Sequence, residues 1–377
     1  MTRPAARDST GRLRARALGA AAAALLLACG PAPRARPAGD PSADAPFVVA
    51  ERGAGGVRLV FVSAAGARVA DLTLPPEDGQ PPFVVDTQPA WSADGRWIAF
   101  ASNRGGAAGL WIARAVADQV PRRLTRPPAG ATDRDPAWSP DGRALLFSSN
   151  RGGSYDLWRL EVDPRTGTPR GEPVPWLREA ADLVTPAWSP DGRRVAYSRF
   201  DRATRTSSVW LVDASGRRPR RLTSGPLDQA PAWSPDGGRI AYSAPAIDRP
   251  DLDIFTIRAD GTRERVAIDE PLAHETEPAW SADGRWLVAT AVLRSERDGA
   301  PFFWSVVAAD LRAGGPVRAV HDVAAAARVA FALRPRPVDA RALAALPAYD
   351  RDAVVDAIRG VCTGLDDPPP ACRAVAR

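Results

Sequence analysis

The sequence predicts an all-β chain, a six-bladed β-propeller of four-stranded antiparallel blades with a short α-helical C-terminal tail. Three observations predict it. Pro-Ala-Trp-Ser-[Pro/Ala]-Asp-Gly occurs five times, with Trp91, Trp138, Trp188, Trp233 and Trp280 spaced by 47, 50, 45 and 47 residues. Each copy is followed by the same succession of short alternating runs and Gly/Pro-rich turns. The two ends of the array carry strand-like segments that complete one another. A period of this length is the mark of a repeat architecture in which one small sheet is the unit.

The second copy shows the elements in order. Asp135 to Ser139 is an extended run, and Pro140-Asp141-Gly142 is a turn in which Pro presets φ, Asp accepts local backbone bonds and Gly takes a positive φ. Arg143–Ser148 and Tyr155–Val162 alternate as strands, separated by Asn150-Arg151-Gly152-Gly153, and Val174–Leu177 gives a short fourth strand. The other copies agree, with Trp97–Phe100, Val195–Tyr197, Ile240–Tyr242 and Trp286–Val288 as second strands. A lone blade cannot bury both faces, so the tryptophans have two readings: inter-blade core or ligand stacking.

Five motifs give five blades, and the sixth is split between the ends. Residues 47–50, 58–62 and 68–72 match strands two to four without a preceding Trp motif. Residues 327–332, after His321-Asp322-Val323, are expected to supply the missing first strand and close the ring, which protects sheet edges.

The Pro-x-Trp-Ser-Pro-Asp-Gly repeat resembles that of the TolB-type six-bladed propellers of bacterial envelopes, and is similar to the propellers of the prolyl oligopeptidase and tricorn families. The resemblance covers about residues 47–335 and implies the fold; the fold hosts many activities. TolB proteins carry an α/β domain before the propeller, where this chain has a short Pro/Ala-rich stretch, so that domain's role is not transferred.

Arg12, Arg14 and Arg16 precede the apolar run Ala17–Ala28, which reads as a signal peptide. Its end, Leu26-Leu27-Ala28-Cys29, resembles the bacterial lipobox, which implies cleavage before Cys29 and lipid on its sulfur; an ordinary secretion signal with a chance Cys is the other reading. Residues 29–46, with five prolines, form a tether, residues 47–338 the propeller, and residues 339–377 a helical tail. The tail reads as two short helices, Asp339–Leu346 and Asp350–Val361. Gly30 follows the Cys, so an outer-membrane anchor is expected, with either face open. Cys362 and Cys372 remain as an even pair able to form a disulfide in an oxidising compartment.

The formal net charge of +6 falls to about +2 without residues 1–28, and no interleaved basic and aromatic groove appears, so nucleic acid is not an expected partner. All fifty basic residues are Arg, and pairs such as Arg122-Arg123 and Arg220-Arg221 are expected at solvated blade edges.

No Gly-x-Ser-x-Gly elbow, P-loop or His-rich cluster is present, and the tail is too short for a hydrolase domain. The candidate site is a set of acids ahead of the motif tryptophans: Asp86, Asp133, Asp228 and Glu275 five residues before, and Asp135 and Glu277 three before. The third copy has Leu183 at the first position, beside Asp182. Innermost strands begin by the central channel, so these acids are expected at one channel mouth. Three readings stand: a cation site, for which calcium is the candidate cofactor; a polar surface for a partner's basic residues; or local turn caps. Loops 201–208, 245–251 and 294–301 are longer than the Asn-Arg-Gly-Gly loops and are expected to form a partner footprint. The sequence thus favours a monomeric, lipid-anchored, non-catalytic interaction platform with an envelope protein partner. The alternatives are a propeller hydrolase or lyase acting on cell-surface glycans or peptides, and a metal or small-ligand sensor.

Overall fold

The computed structural model describes residues 42–53, 55–75, 81–246, 251–262, 265–270, 273–294, 301–324, 331–336 and 338–349. Cys29, Cys362, Cys372, the signal segment and the second tail helix lie outside the described residues.

The chain opens with β1 (Phe47–Gly53), β2 (Gly56–Val62) and β3 (Arg68–Asp71). The five Trp motifs then each generate four strands. The first gives β4 (Val84–Trp91), β5 (Trp97–Ser102), β6 (Gly109–Arg114) and β7 (Arg122–Arg123). The second gives β8 (Asp133–Trp138), β9 (Ala144–Ser149), β10 (Asp156–Glu161) and β11 (Val174–Leu177). The third gives β12 (Asp182–Trp188), β13 (Arg194–Asp201), β14 (Thr206–Asp213) and β15 (Arg220–Arg221). The fourth gives β16 (Gln229–Trp233), β17 (Arg239–Pro245), β18 (Leu252–Arg258) and β19 (Arg265–Ile268). The fifth gives β20 (Ala273–Trp280), β21 (Trp286–Arg294), β22 (Pro301–Asp310) and β23 (Arg318–Ala324), before β24 (Phe331–Leu333) and the helix α1 (Ala340–Ala345).

The expectation of six separate four-stranded blades is corrected. Only the second to fifth motifs form separate four-stranded sheets; β24, β1, β2 and β3 join β4–β7 in one eight-stranded sheet. The junction is parallel, Gly56 opposite Val84 and Val57 opposite Val85. Gly56 makes the approach possible: its φ is 129°, and a Cβ there would lie 1.8 Å from the Val84 carbonyl oxygen. β24 pairs antiparallel with β1 from Phe47–Leu333 to Val49–Phe331, so the chain ends do meet.

The motif itself explains how sheets attach to one another. In each copy the Ser hydroxyl donates to the Asp two residues on, at 2.6 Å, from Ser92–Asp94 to Ser281–Asp283. The Asp then accepts the N–H two residues further on, which closes the turn into the second strand. The Trp indole N–H crosses to the preceding sheet. Trp138 donates to Ala90 O, Trp233 to Ala187 O and Trp280 to Ala232 O, each at 3.1 Å. Each of those acceptors stands immediately before the previous motif Trp. Trp91 reaches Ala332 O of β24 at 3.3 Å. Trp188 Nε1 has no such acceptor.

Cores lie between sheets. Trp97, Leu110 and Ile112 pack with Trp138, Leu145 and Phe147. Val209 and Leu211 pack with Trp233 and Tyr242. Phe47 and Val60 pack with Trp286 and Val306, joining the first sheet to the last. Trp91, Trp138, Trp188 and Trp233 therefore pack in these cores. The Arg pairs at β7 and β15 are outermost strands, as expected, and Arg122 and Arg123 also cover the Trp97 and Trp111 rings.

Residues 42–46 are ordered against this core. Ser42 and Ala45 are buried, and Arg334 donates to the carbonyls of Ser42 and Ala43. The segment expected as a loop over 201–208 is instead a hairpin. β13 and β14 stay paired to Asp201–Thr206, and the Asp201 carboxylate caps the turn through the N–H groups of Ala203 and Thr204. Within α1, Asp339 is the N-cap and accepts from Arg341 N and Ala342 N.

Candidate functional site at the head of the inner strands

β4, β8, β12, β16 and β20 lie side by side in that order, and β24 lies against both β4 and β20. The predicted acids stand on these inner strands, and the structure divides them into three kinds.

Asp86 is fully buried and fully paired. It accepts from Thr73 Oγ1 at 2.9 Å, Ser102 Oγ at 2.6 Å and Arg104, whose Nε and Nη2 grip it at 3.0 and 2.7 Å. Asp133 repeats the pattern with Arg151 Nη2 at 2.5 Å on Oδ2, while its Oδ1 has no partner. In the third sheet Asp182 is the acid, held by Arg202 Nε and Nη2 at 2.6 and 2.5 Å. These are charge-assisted pairs, two-pronged at Asp86 and Asp182 and single at Asp133. The supporting residues come from the Asn-Arg-Gly-Gly loops. Arg104 and Arg151 supply the guanidinium, while Asn103 and Asn150 accept the Val85 and Thr132 N–H groups at 2.7 Å. The sequence reading took these as short loops between the second and third strands. The signal that identifies them is the Asp–Arg separation of 18 residues in both repeats.

The last two acids have no such arginine. Asp228 accepts the Gly225 N–H at 2.8 Å, and burial raises its pKa against a bond from Thr223. Glu275 is fully buried, and neither of its oxygens has a hydrogen-bond partner. Burial first, and then the nearby Asp253 and Glu270 charges, push its carboxyl up to about 10. It is therefore protonated at neutral pH. His274 Nε2, next along the strand, lies 3.3 Å from Asp251.

The positions three before each Trp behave as a set. Gln88, Asp135, Thr185, Ala230 and Glu277 all have left-handed backbone, with φ between 50° and 55°. A register shift in each inner strand accompanies them, as between Arg134 and Ala137. Their side chains and N–H groups link neighbouring sheets. Gln88 Nε2 donates to Asp135, Asp135 Oδ2 accepts the Thr185 N–H at 3.4 Å, and Ser198 Oγ bonds both Thr185 Oγ1 at 2.7 Å and the Ala230 N–H at 2.9 Å. Asp135 and Glu277 thus belong to a different ring from Asp86, Asp133, Asp228 and Glu275.

Among the described residues no three His, Cys, Asp or Glu side chains come together as a metal-ligand group. The calcium reading gains no support from the described acids, since Asp86 and Asp133 are occupied by guanidinium groups. The turn-cap reading fits the motif aspartates and, through the Gly225 N–H, Asp228.

Residues 171–320 match the family described as the TolB beta propeller domain. No curated protein matches the chain. Among solved structures, it is similar to a putative TolB from Agrobacterium tumefaciens, with a TM-score of 0.53 and 20% identity over 74% of this chain and 89% of that one. TolB from Acinetobacter baumannii gives 0.51 and 17%, over 78% and 67%. A chain of a nidogen/laminin complex gives 0.52 and 11%, over 77% and 99%. The fold is therefore a TolB-like β-propeller, and at these identities the likeness speaks for the fold alone.

Proposed function

We propose that this chain is a lipid-anchored protein of the bacterial envelope whose propeller is a non-catalytic platform for a protein partner. The observation that carries the reading is the ring Gln88, Asp135, Thr185, Ala230 and Glu277. One strained backbone geometry is kept five times while the side chain changes each time. Left-handed backbone at non-glycine residues costs about 1–3 kcal/mol each. A scaffold that holds this geometry with five different side chains presents a fixed frame with a variable surface, which suits recognition of one shape. The acids nearby are mostly spent on the chain's own arginines, which supports binding over catalysis.

The enzyme alternative draws on one feature, the proximity of Glu275 to Asp253. Both are buried, at 0% and 3% exposure, which keeps a glycan or peptide bond from direct contact with either carboxyl. Crosslinking in native envelopes followed by mass spectrometry tests the platform. The reading expects one reproducible protein partner, and recovery of none across repeated preparations contradicts it.

A further inference from the structure

We infer that the face at which the inner strands begin docks an acidic segment of a partner protein through an arc of exposed arginines, Arg126, Arg178, Arg202 and Arg205. The inference rests on the platform reading and supplies the chemistry of the partner.

The two faces sort their charges differently. On the face of the motif turns, exposed acids stand beside exposed arginines, as at Asp94 and Arg96, Asp141 and Arg143, and Asp191 and Arg193. Both signs share that surface. The opposite face separates them by depth. Asp86, Asp133 and Asp156 are buried, and Glu179, Asp182 and Asp201 are half-buried. The arginines stand outside them. Arg126 lies in the β7–β8 connection, Arg178 in the β11–β12 connection, and Arg202 and Arg205 at the tip of the β13–β14 hairpin, all exposed. The connections that cross this face, residues 102–108, 124–132, 149–155, 177–181 and 201–206, hold no exposed acid. The depth difference is clear within single pairs. The Arg178 and Arg202 side chains are 55% and 58% exposed, against 5% and 14% for their partners Asp156 and Asp182. With the carboxylates beneath and the guanidinium groups above, the potential met from solvent is positive. The arc is one-sided, since at the β19–β20 connection the exposed charge is Asp269.

The four arginines keep donors for a further ligand. Arg178 Nε is 3.7 Å from Asp156 Oδ2, beyond hydrogen-bond reach. Arg202 spends Nε and Nη2 on Asp182, which leaves Nη1 uncommitted. Arg126 and Arg205 pair with no acid among the described residues. The chain itself shows which ligand suits them. Arg104 and Arg202 each grip a carboxylate by two N–H groups, the geometry for which a planar guanidinium is formed. Both ends of the described chain lie on the other face. Arg334 N donates to Pro46 O at 2.7 Å, and its guanidinium covers the Trp91 ring beside the first motif turn. Tyr349 N donates to Val317 O at 2.8 Å, just before β23. The arginine face is clear of both ends. Under the lipid-anchored reading this favours a protein over the anchoring membrane as its partner.

The test follows binding of fluorescein-labelled poly-L-glutamate to the full chain by anisotropy, with poly-L-lysine and phosphatidylglycerol vesicles as parallel arms. Saturable binding of poly-L-glutamate is expected, weakened at least tenfold by added salt, with no binding of poly-L-lysine. A chain carrying Arg178→Gln and Arg202→Gln should bind at least fivefold more weakly. A chain carrying Arg96→Gln and Arg170→Gln, two exposed arginines of the turn face that also stand beside acids, should bind as wild type does. Circular dichroism checks both chains; if the first does not fold, Arg205→Gln, which breaks no ion pair, carries the test with an expected loss of at least twofold. No saturable binding, an equal loss from the turn-face pair, or vesicles bound as tightly through the same arginines each overturns the proposal. Envelope crosslinking separates this inference from the platform reading. A partner captured equally by wild type and the Arg178→Gln, Arg202→Gln chain overturns the arginine surface and leaves the platform standing. Recovery of no partner removes the platform, and the poly-L-glutamate titration then decides the arginine surface alone.

Discussion

Arg104 and Arg202 make the same kind of bond to the same kind of acid, yet their worth to the fold differs. The Arg104 side chain is 2% exposed and Asp86 0%, whereas the Arg202 side chain is 58% exposed. Removing one member of a buried pair strands the other charge, at a cost of about 3–5 kcal/mol, while an exposed pair is screened by water. Urea denaturation should show that large loss for Arg104→Met and no resolvable change for Arg202→Met. Glu275 has the opposite character. Its folded pKa of about 10 lies above the ordinary 4.5, so the folded chain keeps a proton that the unfolded chain releases. Stability from this group is full below pH 4.5 and falls as pH rises toward 10. Glu275→Gln should stabilise the chain by about 1–3 kcal/mol at pH 8 and leave it unchanged at pH 4, as read by thermal melts at both. Asp86 and Glu275 were legible five residues before their Trp, and Asp182 six before its own. Their partners were not, because Arg104 and Arg151 sit in turn-like Asn-Arg-Gly-Gly segments 18 residues away, where sequence alone suggests a solvated side chain.

The repeating element is a strand, a tight turn and an indole that reaches backward. Trp138 Nε1 donates across the sheet boundary to Ala90 O, and Trp188 Nε1 makes no such bond. Phe substitution removes the N–H in both cases and trims the ring equally. Trp138→Phe should therefore cost about 1 kcal/mol more than Trp188→Phe by chemical denaturation. The bulge three residues ahead of the Trp adds strain that a glycine would relieve. Ala230 sits at φ 52°, so Ala230→Gly should raise stability by about 1 kcal/mol, read as a higher melting temperature. Strand order and turn positions followed from the Trp-Ser-x-Asp-Gly spacing, because Ser–Asp turn chemistry is local. The bulge was not legible: Gln, Asp, Thr, Ala and Glu share no backbone preference, and the left-handed turn is imposed by the packing of neighbouring inner strands. The hairpin at 201–206 was misjudged for a related reason, since polar Arg and Thr residues continue a ladder whose register only the partner strand fixes.

At the scale of the molecule, repeat counting gave the number of Trp units but not how they join. Whether two successive units hydrogen-bond depends on one close approach, Gly56 against Val84, which fuses the first two sets of strands into eight. The meeting of the ends was legible from the missing Trp motif at residues 47–72, and Trp91 seals it through Ala332. What this arrangement does for function rests on the inner ring. The most direct measurement places a photocrosslinking amino acid, one variant at a time, at Gln88, Thr185 and Glu277, and as a control at Val266, an exposed residue of β19. After irradiation in intact cells, the account predicts that one and the same envelope protein is captured from all three ring positions and not from Val266. Capture of no protein from the ring, or equal capture from Val266, would contradict it.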